Sequence, residues 1–243
     1  MKKLILLLVL FLGLTSCRFG NEVLLPQGTY SVKKDMVDYS QLYFFFKTEG
    51  KDTLAETNFN NMISTTNWVL SIDKRLPLHK VIPEVVKLQI KKQKKNAHGG
   101  KNQTEMFFSY SDSVGKNLAF LPFKSVEFSQ KIYHSYNYIK KYPDFHTGFE
   151  NVSIDILKGN RVLVNDVLVT DANQWLFIQD YLSFLSENKT VLVYLNFDDR
   201  LLFDDYMKFK LAIRALVNDH ILLAPNEFIY DAIRLDKECG CLH

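Results

Sequence analysis

Cysteine is scarce in this chain. Three occur in 243 residues: Cys17 near the start, and Cys239 and Cys241 at the end. The only pair within the body is therefore a Cys-x-Cys, whose disulfide would close a tight, strained ring. Long hydrophobic runs are lacking beyond the first residues, where none approaches the roughly 20 that span a bilayer. Net charge is also small. The formal value is +3, or +1 without Lys2 and Lys3, which excludes a global field for nucleic acid. Catalytic signatures are missing as well. The histidines (His79, His98, His134, His146, His220, His243) show no His-Glu-x-x-His spacing. Neither a Gly-rich phosphate loop nor a Gly-x-Ser-x-Gly elbow occurs, so no cofactor is expected. What is present is 47% hydrophobic and 14% aromatic content, enough for a packed core.

The N-terminus has a definite layout. Lys2 and Lys3 precede an apolar stretch from Leu4 to Leu14, then Thr15, Ser16 and Cys17. That is the order of a secretory signal peptide, too short for a spanning helix. Leu14-Thr15-Ser16-Cys17 resembles the lipobox cut by lipoprotein signal peptidase. The resemblance implies a signal peptide over 1–16, a cysteine acylated at position 17 and anchoring through its acyl chains. Arg18 after the cysteine, with no aspartate of the enteric retention type, points to the outer membrane, facing the periplasm.

Periodicity organises the rest. Residues 17–39 are mixed and polar, as in a lipidated tether. Within 151–235, Val152–Leu157 alternates as a strand, and Arg161–Val169 is a second strand with Asn165-Asp166 inside it. A helix starting at Asp171 carries Trp175, Ile178, Leu182 and Leu185 inward. Thr190–Asn196 is a strand, a second helix carries Leu202, Tyr206, Phe209, Ile213 and Leu216, and His220–Ala224 closes the set before Pro225. The pattern is β-β-α-β-α-β, an α+β sheet with helices on one face. Residues 40–111 read as a looser version. Leu42–Phe46, Trp68–Ile72 and Glu105–Tyr110 are strands, Thr53–Ile63 is weakly helical, and Leu78, Val81, Val85 and Leu88 form a stripe interrupted by Pro83. A connecting segment, 112–150, is rich in Phe and Tyr, and 236–243 is a Cys-Gly-Cys tail.

Two motifs then coincide. Asp73-Lys74-Arg75-Leu76-Pro77-Leu78 follows a strand and precedes Val81 and Val85 at helical spacing. Asp198, Arg200 and Leu201 repeat Asp73, Arg75 and Leu76 at a constant offset of 125 residues. This strand-to-helix turn, and the order of elements around it, resemble the periplasmic domain of the ExbD/TolR biopolymer-transport family. The resemblance implies a tandem repeat of two such modules, dimerisation between them as within the family, and contact with envelope proteins of a transport or energy-transducing complex or, in some members, peptidoglycan. It departs from the family in one respect: the apolar stretch 4–14 has no proton-carrying aspartate. The expectation is a non-enzymatic binding or scaffold lipoprotein, a monomer with an internal pseudo-dimer.

Several residue sets remain as candidates. Lys87, Lys91, Lys92, Lys94 and Lys95, continuing to Lys101, form either a partner-binding patch or a solvated helix end. Cys239, Cys241 and His243 make an alternative thiol or soft-metal site, or a frayed tail. Ser71-Ile72-Asp73-Lys74, Ser135-Tyr136-Asn137 and His146-Thr147-Gly148 follow the motif order of penicillin-recognising enzymes, the envelope-hydrolase alternative. Against it, Ser71 lies in a strand, where residues three apart face opposite ways. Asp198, Asp199, Asp204 and Asp205 read as caps of the second helix rather than as a calcium cluster, since loop glycines are lacking.

Overall fold

The structure is a computed structural model that describes residues 22–97, 104–129, 134–170 and 173–233. Cys17, Cys239, Cys241, His243 and Asp171 fall outside these residues. The described residues form a mixed α/β protein with two mixed sheets of six strands and five helices. The first sheet contains β1 (Gln27–Gly28), β2 (Tyr39–Glu49), β3 (Asp52–Asn58), β4 (Asn67–Ile72), β5 (Met106–Asp112) and β6 (Asn117–Pro122). Its order is β1-β5-β4-β2-β3, with β6 also on β5. The second sheet contains β7 (Glu127–Ser129), β8 (Glu150–Leu157), β9 (Arg161–Val164), β10 (Val167–Leu168), β11 (Val191–Asp198) and β12 (Ile221–Tyr230), in the order β10-β9-β8-β11-β12-β7. The helices are α1 (Leu78–Ala97), α2 (Ser135–Lys141), α3 (Pro143–His146), α4 (Gln174–Ser186) and α5 (Phe203–Leu216).

Both sheets have a parallel centre: β2, β4 and β5 in one, β8, β11 and β12 in the other. Each carries an antiparallel hairpin at the equivalent place, β2–β3 and β8–β9. Each parallel pair next to the Asp-x-Arg turn is linked by a helix, α1 or α5. Helix α4 has no counterpart in the first half, where residues 59–66 form turns.

Three local expectations change. Residues 53–63 do not form a helix. Gly50, at φ 62, turns the chain so that Asp52–Asn58 pairs back along β2, and strand pairing overrides a weak helical propensity. The single strand expected over Arg161–Val169 is a hairpin. Asn165 and Asp166 both have positive φ, 48 and 66, the two-residue turn these side chains tolerate. The stretch read as a tether is built into the body from residue 22. Gln27–Gly28 pairs with Ser111–Asp112, Leu24 N–H donates to Asp73, and Tyr30 Oη–H donates to the Leu211 carbonyl at 2.6 Å.

The two halves meet in a reciprocal ladder. Asp73 accepts from Arg75 N at 3.0 Å, Nε at 2.8 Å and Nη2 at 2.7 Å; Asp198 accepts from Arg200 N at 3.0 Å, Nε at 2.8 Å and Nη2 at 2.5 Å. Each aspartate thus makes an Asx turn closed by a two-pronged arginine. The chain then extends, and Pro77 and Leu202 bridge antiparallel. Leu78 N donates to Leu201 O at 2.9 Å, and its equivalent, Phe203 N, donates to Leu76 O at 2.8 Å. His79 N donates to Asp199 O at 2.8 Å, and its equivalent, Asp204 N, donates to Lys74 O at 3.1 Å. The first N–H groups of a helix have no intrahelical acceptor. Here each of α1 and α5 gives them to the turn of the other half. The expected aspartate cap of α5 is therefore corrected: Leu202 is its N-cap, with no side-chain cap bond.

One hydrophobic cluster spans both sheets and α1, α4 and α5. The Phe108 ring on β5 meets Phe203 and Tyr206 of α5, and Tyr206 also meets Phe197 of β11. Because α5 packs between sheets, its buried face is wide: Phe203, Tyr206, Met207, Lys210, Leu211 and Ile213. The narrower inward stripes expected from spacing are corrected at five positions, Leu185 and Leu216 being half-buried. Leu202 is 41% exposed, Phe209 is half-buried, and Trp175 of α4 is 37% exposed.

Candidate functional site

The sequence-derived lysine patch is only partly a surface. Lys87 is exposed and pairs with Glu84, while Lys91 and Lys94 are exposed. Lys92 is not available: 2% exposed, it donates to the carbonyls of Ser64 and Thr66 at 3.2 and 2.5 Å and lies over the Trp68 ring. An amphipathic helix tucks this lysine against its own sheet, where two carbonyls replace water. The side chain of Lys95 is outside the description.

The three serine-hydrolase-like motifs are not brought together. Ser71 is 3% exposed on β4, bonded to Gln41 and to Ser109. Ser135 and His146 lie over the second sheet instead, both buried. Ser135 Oγ bonds Ser153 and Asn196; His146 Nδ1 bonds the Tyr194 hydroxyl at 2.9 Å.

His134, Asp155 and Asp166 do gather side-chain donors within 4.8 Å. The tautomer argues against a metal there. His134 caps α2, its Nδ1 accepting from Tyr136 N at 3.2 Å, and Nε2 faces Asp155 at 2.6 Å. A ring whose Nδ1 accepts must carry its proton on Nε2, the atom a metal would need. Tyr230 Oη–H also donates to Asp155, at 3.0 Å. Burial, then the Asp155 carboxylate, push the Tyr230 phenol far up, so it stays a donor. This is an anchor for α2 on the outer face of the second sheet.

A surface unanticipated by periodicity lies along α4 and α5. Trp175 and Phe209 meet edge to face, centroids 5.8 Å apart. Around them, one hollow of about 340 Å³ is lined by Asn160, Asn173, Gln174 and Lys208. A second, of about 380 Å³, runs on past Trp175 and Lys208 to Tyr30 and Leu211. Leu176, Phe177 and Phe184 elsewhere on α4 are exposed too, as are Val167 and Leu168 of edge strand β10. Only Ile178 and Leu182 of α4 are buried, so this helix shows most of its apolar residues to solvent. Helical spacing alone assigns such residues to the core. The signal in the sequence is excess: α4 has more large apolar residues than one face can hold.

A buried polar triad sits on the other side of α5. Lys210 Nζ and Tyr206 Oη, the latter at 2.8 Å, both donate to Glu227 of β12. Burial, then Glu227, hold the Tyr206 phenol well above its ordinary range. Comparison with protein-family models, with curated proteins and with solved structures finds no match.

Proposed function

We propose that this chain is a non-enzymatic cell-envelope lipoprotein. It is anchored by acyl groups on Cys17 at the outer membrane, and it acts as a binding or scaffold subunit built from two ExbD/TolR-like modules. The carrying observation is the reciprocal ladder between Lys74–His79 and Asp199–Asp204. A reciprocal pairing of this kind is what an internal counterpart of the family's dimer would require, and it supports that reading. The order β8-β9-β10-α4-β11-α5-β12, which has one short hairpin strand more than the expected pattern, supports the same reading. No helix among the described residues is long and apolar enough to cross a membrane. The groove around Trp175 is the assigned contact face. Its walls are apolar and its rim carries amides, a combination suited to an extended apolar segment of an envelope protein.

Two experiments test this. Cys17→Ser should abolish incorporation of labelled palmitate and release the chain from membranes; unchanged labelling and fractionation contradict the anchor. A photo-cross-linking residue at Trp175 should capture envelope proteins in cells, and one at Val37 should not. Adducts at neither site, or at both alike, contradict the contact face.

A further inference from the structure

The two sheets leave a third cavity, on the far side of α5. It measures about 480 Å³ and is lined by Leu121, Val126, Phe145, Leu192, Leu222 and Ala224, among others, with Lys210, Arg214 and Glu227 at its charged part. Its walls come from the end of β6, from α3, from the second sheet and from α5, so it exists only because both halves are in place. Lys210 and Arg214 are one helical turn apart and share a face. Lys210 is neutralised by Glu227, with both side chains at 5% exposure or less. Arg214 has no ion-pair or side-chain hydrogen-bond partner among the described residues; its charge acts on the Tyr30 and Tyr110 phenols, which are neutral. The charged part therefore carries one positive charge in excess, beside a hollow whose other lining is almost wholly apolar. Pockets of this volume, apolar with a few fixed polar groups, are the usual form of a small-molecule site.

We propose that this cavity binds a single-chain amphiphilic monoanion, its carboxylate on the Arg214 guanidinium and its apolar chain among Leu121, Leu192 and Leu222. A guanidinium presents two parallel N–H groups to a carboxylate. Glu227, held by Lys210 and Tyr206, does not compete for Arg214. The same geometry disfavours a dianion, because only one positive charge is uncompensated.

The test is calorimetric titration of the full chain carrying Cys17→Ser, with decanoate as probe and decanol as the uncharged control. Decanoate should bind one per chain and decanol more weakly. Arg214→Gln should weaken decanoate about tenfold, the loss of one charge-assisted contact, and leave decanol unchanged. Val217→Trp, at an exposed position of the lining, should block both ligands without lowering the melting temperature. Non-saturable uptake of decanoate, or saturable binding indifferent to both variants, overturns the proposal. Cross-linking at Trp175 reads a different face, so either result can fail while the other stands.

Discussion

Asp73 and Asp198 concentrate the stability of the junction in two carboxylates that are fully buried. Burial raises the pKa of each. The arginine beside it, with backbone N–H groups of Arg75 and Leu24 or of Arg200 and Lys158, outweighs that and holds each below the ordinary range. A depressed folded-state pKa gives stability that is full above the unfolded value, about 3.9, and is lost as pH falls through the folded one. Melting temperature should therefore lose this contribution progressively below about pH 4 in acid titration. Asp198→Asn should flatten that loss and cost about 1–3 kcal/mol at neutral pH, since donors lose a charged acceptor. Asp199 has the opposite sign. Burial, then Asp231 and Asp198, raise its pKa against the opposing pull of His79. Its charge therefore opposes folding above its unfolded pKa, and Asp199→Asn should raise the melting temperature at pH 7. In the buried triad, Lys210→Met removes the ion-pair partner of buried Glu227 and should cost about 3–5 kcal/mol in denaturant unfolding.

At the scale of the elements, exposure decides which substitutions matter. Trp175 is 37% exposed whereas Leu182, on the same helix, is fully buried. Leu182→Ala should therefore cost about 2–5 kcal/mol, and Trp175→Ala much less, by chemical denaturation. Gly28 on β1 passes so close to α5 that an added Cβ would sit 2.7 Å from Leu211 Cδ1 and 2.8 Å from Tyr110 Cε2. Gly28→Ala should destabilise by about 1–3 kcal/mol. Strands β8 and β11, the start of β12 and the existence of α1, α4 and α5 were legible from alternation and spacing, because each buries a regular face; β12 runs on through Pro225 to Tyr230, beyond the expected end at Ala224. Helix faces were less so. Spacing finds an apolar stripe but not how many layers press on it, and α5, held between two sheets, buries Lys210 and Met207 outside the expected stripe. β3 was missed because Thr53–Thr57 is short and its partner strand, not its own pattern, fixes its form. Lys210–Glu227 joins residues from different elements, which no local motif encodes, and the His134–Asp155 contact crosses from α2 to β8.

For the whole molecule, the offset of 125 residues between the Asp-x-Arg-Leu motifs was the strongest feature readable in the sequence. The structure gives it a physical role: each copy satisfies the helix start of the other. Self-complementary surfaces normally pair two chains. A covalent link instead raises the effective concentration to about the millimolar range, so internal pairing should exclude pairing between chains. The two halves also differ: α4 has no counterpart in the first half, and it helps to build the exposed aromatic groove. The most direct test of this internal pairing is the solution mass of the Cys17→Ser chain by light scattering at micromolar concentration. The account predicts the mass of one chain, unchanged on dilution. A stable dimer would contradict it, because the surfaces on Lys74–His79 and Asp199–Asp204 would then be pairing between molecules.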